Sequence, residues 1–183
     1  METDGGGWTI FQRRTDGSVN FTRNWTEYRN GFGNISSEFW IGNVNLFKIL
    51  RYGRYEMRMD MGDFEGESRY IKYSHISLGD EDTMFTIHLS GYSGNIRDCF
   101  TQNKGINGMQ FSTFDQDNDL LSSRSCAINY PAGWWFNSCH CANPNGLYLK
   151  GETDIWGKGI TYAYWRENYY SLKYTRMMVR RVL

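Results

Sequence analysis

The sequence predicts one domain built on an antiparallel sheet, with a few short helices and a long loop-rich region, and three observations carry this. Strict alternation sets Tyr55, Met57, Met59 and Met61 against Glu56, Arg58 and Asp60, the pattern of a strand with one buried face. Gly is 20 of 183 residues, Pro only 2, and aromatics reach 17%, a mix that favours Gly-turned loops around an aromatic core over long helices. From Gly91 to Gly159 periodicity fades, yet that stretch holds all four cysteines. Its Trp and Cys density argues against disorder, so it reads as ordered loops tied by something other than a ladder of backbone bonds.

The elements follow in order. Trp8 to Arg14 is β-branched and aromatic after a glycine run and reads as a strand, closed by the turn Thr15-Asp16-Gly17-Ser18. Asn24 before Trp25 to Arg29, and Ser36 before Ser37 to Ile41, each give an N-cap with a glutamate in the first turn, so two helices are expected there. A third short helix is expected over Val44 to Leu50, strands over Tyr70 to Leu78 and Met84 to Leu89, and a returning C-terminal strand over Tyr170 to Val182. No repeat, linker or low-complexity tract interrupts them.

Composition excludes several function classes. Twenty Lys and Arg balance twenty Asp and Glu, a formal net charge of zero, so no electrostatic footprint for nucleic acid or an anionic membrane is expected. Apolar runs such as Leu46 to Leu50 fall far short of the roughly 20 residues of a membrane span, so no membrane insertion is expected. Three sequons, at Asn20, Asn24 and Asn34, are compatible with a glycosylated, secreted, extracellular chain. No signal segment precedes the Asp4-Gly5-Gly6-Gly7 run, and Met1 reads as entering the interior of a domain, with any localisation signal expected upstream.

Two constellations could carry chemistry. Asp115, Asp117 and Asp119 stand at alternate positions; such carboxylates repel one another, and a hard cation held by oxygen ligands, Ca²⁺ above all, relieves that repulsion. The loop is not an EF-hand, because its sixth position is Leu120 and its twelfth Cys126; a solvated acidic turn is the alternative. The second constellation is Cys139-His140-Cys141. Adjacent ligands wrap one tetrahedral zinc poorly, and a thiol nucleophile served by His140 is the weaker reading beside disulfide-bonded extracellular cysteines. No enzyme is expected. His75 and His88 fall in alternating strand patterns and are read as sheet positions.

Four blocks in order name a resemblance: Asp4 to Arg14, Glu38-Phe39-Trp40-Ile41-Gly42-Asn43, Phe111 to Asp119, and Gly133-Trp134-Trp135 through Cys139-His140 to Asn145-Gly146-Leu147-Tyr148, joined by Tyr170 to Tyr174 and Met177 to Arg180. Over nearly its whole length the chain resembles the fibrinogen-like C-terminal domain of the fibrinogen chains, ficolins, tachylectins, tenascins and angiopoietins. The resemblance implies an α+β fold with a central twisted antiparallel sheet. It implies an N-terminal remainder over 1–50 that lacks the first part of its subdomain, a sheet from 51–90 plus 170–183, and a calcium and ligand subdomain over 91–169. The family's N-terminal cysteine pair is absent.

The resemblance also implies a calcium site on the side chains of Asp117 and Asp119 with the carbonyls of Leu121 and Ser123, in a loop one residue longer than usual before Cys126. It implies a Cys126–Cys139 disulfide, worth about 3 kcal/mol by loop closure, and a peptide before Cys139 that is often cis, turning the N–H groups of Cys139 and His140 toward a ligand. Cys99 and Cys141 lie outside the common pattern; a bridge between them would staple the loop before the calcium segment to the pocket rim. Where fibrinogen chains place carboxylates for a peptide's ammonium and guanidinium, this chain has Tyr130 and Gly157. Tyr130, Trp156 and Tyr169, with His140 beside them, are the aromatic walls expected of a ficolin- or tachylectin-type lectin. The expected function is calcium-dependent pattern recognition of N-acetyl groups, such as those of N-acetylglucosamine, on microbial surfaces in innate immunity. The full-length protein is expected to oligomerise, since single sites of this kind are weak. The alternative is a protein-interaction module without sugar binding.

Overall fold

The computed structural model describes residues 3–182; the readings made at Met1 lie outside them. A seven-stranded antiparallel sheet forms the frame. Its first strand, β1 (Thr9–Arg14), is followed by helix α1 (Trp25–Asn30), the short strands β2 (Phe32–Gly33) and β3 (Phe39–Trp40), and helix α2 (Asn43–Leu50). Long strands β4 (Tyr55–Gly62), β5 (Ser68–Leu78) and β6 (Ile87–Gly94) come next. The loop region holds only α3 (Cys126–Asn129), β7 (Ala142–Asn143), β8 (Gly151–Glu152) and β9 (Thr161–Tyr162), before β10 (Tyr170–Ser171) and β11 (Tyr174–Arg181). The sheet order is β2-β3-β1-β11-β4-β5-β6, so the C-terminal strand is the keystone between the first strand and the central hairpins.

Alternation builds the sheet's two faces. Met57, Met59 and Met61 of β4 are buried with Ile71 and Tyr73 of β5 and Met177 and Val179 of β11. The opposite face carries an ion ladder: Arg176 bonds Asp60 at 2.6 Å, Arg58 bonds the same carboxylate at 2.6 Å, and Lys72 reaches Glu56 at 2.9 Å. Pairing cations and carboxylates across adjacent strands stabilises this half-buried sheet face and opposes strand slippage.

Three expectations are corrected. The helix expected over Ser37 to Ile41 is instead a turn at Asn34 followed by β3. The glutamate that suggested helix capping gathers a distant turn: Glu38 Oε1 accepts from the N–H groups of Thr15, Asp16 and Gly17, and Oε2 from Val19. Phe39 and Trp40 are then both buried. The strand expected from Met84 begins at Ile87 and runs to Gly94, because Asp80 caps a 3₁₀ turn at Glu81–Thr83 and Met84 and Phe85 take left-handed conformations with φ of 52° and 51°. The returning C-terminal segment splits in two: β10 pairs with β8, and β11 joins the sheet.

A hub of edge-on and tilted aromatic rings ties the sheet to the loop region. Tyr28, Trp40, Phe111 and Trp135 lie with centroids 5.0–5.9 Å apart in successive contacts, and Trp134 packs on Trp135 at 5.2 Å. The Trp135 indole donates to the Phe85 carbonyl at 2.8 Å. Each such ring pair adds about 0.5–1.5 kcal/mol beyond area burial. The hub anchors the chain a few residues before Cys139 and His140.

Candidate functional site

The site is built around two disulfides that use all four cysteines, Cys126–Cys139 and Cys99–Cys141. Both pairings match the sequence expectation, and with no free cysteine a thiolate nucleophile served by His140 has no sulfur to use. The bridge from Cys126 joins the start of α3 to the Ser138–Cys139 peptide, which is cis. One turn later the N–H of Tyr130 donates to the Cys126 carbonyl at 2.8 Å, which sets the tyrosine at the end of α3.

Tyr130 is the centre of the resulting wall. Its ring meets His140 edge-on at 4.6 Å and an interplanar angle of 85°, and Trp156 at 5.8 Å. With Leu121, Ser138 and Cys139 these residues line a pocket of about 290 Å³. Trp156 is 44% exposed, at the rim. Its loop is held by Gly157, whose N–H donates to the Asn168 carbonyl at 2.8 Å. Gly157 has φ of +71°, and a Cβ there would lie 3.0 Å from Cε1 of Tyr130, so the position suits glycine and disfavours a carboxylate side chain. Tyr169 is 53% exposed and outside the pocket lining, so it does not form the expected third aromatic wall.

His140 is 8% exposed and neither ring nitrogen has a hydrogen-bond partner. Burial dominates its titration. The Gly157 backbone, close by but outside hydrogen-bond geometry, opposes the shift, Lys104 adds to it, and the pKa falls to about 4. The imidazole is therefore neutral at physiological pH, with one N–H to donate and one nitrogen to accept. The backbone N–H groups of Cys139 and His140 likewise make no hydrogen bond among the described residues. A pocket edge with unpartnered main-chain donors beside aromatic rings can take a carbonyl oxygen and the apolar group attached to it.

Beside the pocket lies the acidic loop. Asp119 folds it: Oδ1 accepts from Leu121 N–H and Oδ2 from Cys126 N–H, both at 2.7 Å. Asp117 receives the N–H of Asp119 at 3.3 Å. Asp115 faces elsewhere, accepting from Thr113 Oγ1 at 2.7 Å and from Trp25 N–H at 2.9 Å. Burial, only partly opposed by those N–H groups, and the like charge of Asp117 raise the pKa of Asp119. Neither Asp117 nor Asp119 forms an ion pair among the described residues, which also hold no cluster of three metal-ligating side chains. Two mutually repelling carboxylates short of a counter-charge fit a hard divalent cation whose other ligands are carbonyls. Of the expected carbonyls, Leu121 already accepts from Arg124 N–H at 3.3 Å, while Ser123 is exposed.

Lys104 and Arg124 complete the pocket lining, and neither was singled out in the sequence. The signals were indirect: Lys104 sits on the loop that the Cys99–Cys141 bridge staples down, and Arg124 in the lengthened segment before Cys126.

Comparison with known proteins agrees with this geometry. The family profile of the C-terminal globular domain of fibrinogen beta and gamma chains matches residues 1–182. Fibrinogen-like protein 1 of Bos taurus is 43% identical over 190 residues, which cover 97% of this chain and 61% of that protein. Ryncolin-4 of Cerberus rynchops is 42% identical over 181 residues, covering 98% of this chain and 51% of that protein. The chain thus spans less than two thirds of either relative. The solved fibrinogen-like globe domain of human ANGPTL2 superimposes with a TM-score of 0.93 at 39% identity, over 97% of this chain and 82% of that one.

Proposed function

Because the chain belongs to the family of the fibrinogen C-terminal globular domain, we propose that it is a secreted, calcium-dependent recognition module that binds N-acetyl groups of microbial glycans. The observation that carries this reading is the pair of unpartnered N–H groups at Cys139 and His140 beside the edge-on Tyr130 and His140 rings. An acetyl carbonyl would accept from those donors while its methyl packs on the rings; an ammonium or guanidinium would find no carboxylate in the lining. The two disulfides suit an oxidising compartment. Asn20 and Asn34 are exposed and Asn24 caps α1, positions a glycan could occupy.

The side chains of Asp117 and Asp119 with the carbonyls of Leu121 and Ser123 would hold the calcium. Its charge would neutralise the carboxylate pair and stiffen the segment that leads to Cys126 and Tyr130. Affinity for one acetyl group would be low, in the range of about 1 mM to 1 μM, so useful capture calls for several domains acting together. The test is retention on N-acetylglucosamine resin in calcium and in EDTA, with acetate and N-acetylglucosamine as competitors. Calcium-dependent retention released by both competitors supports the reading. Absence of retention, even for an artificially clustered form, overturns it.

A second reading has its own observation. Leu120, next in sequence to the pocket residue Leu121, and Ile128, on α3 ahead of Tyr130, are 63% and 61% exposed, and exposed apolar side chains of that kind also suit a protein partner. That reading predicts no acetyl retention and loss of partner binding on substituting Leu120 and Ile128 by polar residues.

A further inference from the structure

The pocket is charged as well as aromatic, and all of its charge has one sign. Lys104 and Arg124 both line it, no carboxylate does, and neither cation forms an ion pair among the described residues. Other cations are differently placed: nine of the twenty Lys and Arg residues, Arg58, Lys72 and Arg176 among them, hold carboxylates. A cation left unpaired at a pocket mouth keeps its charge available to a ligand.

Lys104 is built into this position. Its carbonyl accepts the N–H of Cys141 at 3.2 Å, next to the residue whose ring walls the pocket, and Cys141 is bridged to Cys99. Asn137 Nδ2 donates to the following carbonyl, that of Gly105, at 3.2 Å. The lysine itself is held at φ of 59°, a conformation rare for a residue with a Cβ and sustained only where the surroundings impose it. Arg124 comes from a different segment, the one between Asp119 and Cys126. The same pocket is lined by the buried, unpartnered His140 ring and by Cys139, and the N–H groups of both residues are free.

We propose that the preferred ligand is an N-acetylated sugar that also carries an anionic substituent, a carboxylate, sulfate or phosphate, which Lys104 and Arg124 bind while the acetyl group lies against Tyr130 and His140. This rests on the acetyl reading above and adds a charge requirement to it. An anionic substituent would offset both unpaired cations, whereas a neutral sugar leaves them to water. Such exposed pairs are worth little each, so discrimination is a modest factor that salt abolishes.

The experiment measures affinity in calcium for four probes: N-acetylglucosamine, its 6-sulfate, its 6-phosphate, and N-acetylmuramic acid for the carboxylate. At low ionic strength at least one anionic sugar is expected to bind about fivefold to tenfold tighter than the neutral one, and the ratio is expected to approach one in 0.5 M salt, where the Debye length is only about 4 Å. The double variant Lys104→Gln, Arg124→Gln is expected to bring the ratio to one at low salt. Both side chains are exposed, so unchanged far-UV CD and melting temperature confirm that the variant is folded. Binding of the neutral sugar with no tighter binding of any anionic one overturns the charge requirement and leaves the acetyl reading intact. A preference that survives in the double variant overturns the assignment to these two side chains. Failure of all four probes overturns both readings.

Discussion

The N–H of Cys141 donates to the carbonyl of Lys104 at 3.2 Å, across the bridge that joins Cys141 to Cys99. The bond makes the second disulfide part of the pocket as well as of the scaffold. Cys99 and Cys141 are 42 residues apart and Cys126 and Cys139 only 13. On loop-closure entropy the longer closure stabilises by about 4 kcal/mol and the shorter by about 3 kcal/mol. A Cys99→Ala, Cys141→Ala variant is therefore expected to lose at least as much stability as a Cys126→Ala, Cys139→Ala variant, measured by urea unfolding. A loss under about 1 kcal/mol for the first variant would show that the loop is held by packing instead.

Acid should weaken the fold through His140. Its folded pKa is about 4 against an ordinary 6.5, with burial as the main cause. Between these two values the unfolded chain binds a proton at this site that the folded chain does not, so stability falls as pH drops from about 6.5 to about 4. The full window is worth about 3 kcal/mol. His140→Gln should flatten the dependence: the wild-type minus variant stability should shrink by about 1 kcal/mol or more between pH 6.5 and 5.2, where most carboxylates stay ionised. An unchanged difference would mean that His140 gains a proton without cost and is hydrated in solution.

Glu38 should be the most costly single carboxylate to remove. Four main-chain N–H groups point at it, and Arg14, itself almost wholly buried, lies 3.8 Å away. Burial pulls the Arg14 pKa down to about 10, against the opposing charge of Glu38. Glu38→Ala would leave a buried guanidinium without its counter-charge and four donors without an acceptor, an expected loss of about 3–5 kcal/mol. Glu38→Gln keeps one acceptor oxygen and should lose less. Thermal or urea melts decide; equal losses for the two variants would mean that the charge contributes nothing.

How much of this was legible in the sequence follows from the range of each interaction. The alternation of Met57, Met59 and Met61 is a local record of burial, and β4 appeared where it was expected. Glu38 was misread because a capping glutamate and one that receives N–H groups from a turn some twenty residues away look alike in the chain. Met84 and Phe85 read as strand because apolar residues in a left-handed turn leave no periodic mark. In the site, Tyr130, Cys139, His140 and Trp156 came from resemblance and do meet around one pocket. Tyr169 does not join them: it stays exposed, outside the pocket lining. Lys104 escaped notice because it arrives through the Cys99–Cys141 closure.

Gly157 offers a direct test of the pocket's shape. Its φ of +71° and the 3.0 Å gap from an added Cβ to Tyr130 Cε1, with His140 Cε1 at 3.6 Å, leave no room for a side chain unless the tyrosine ring moves. Gly157→Ala should cost about 1–2 kcal/mol in backbone strain and push the Tyr130 ring away from its edge-on contact with His140. The scaffold lies elsewhere, in the sheet and the two disulfides, so the variant should fold while losing most of its retention on N-acetylglucosamine resin. Measured together, a folded protein with undiminished retention would place the acetyl-binding surface away from the Tyr130–His140 wall, and a folded protein that no longer binds would fix it there.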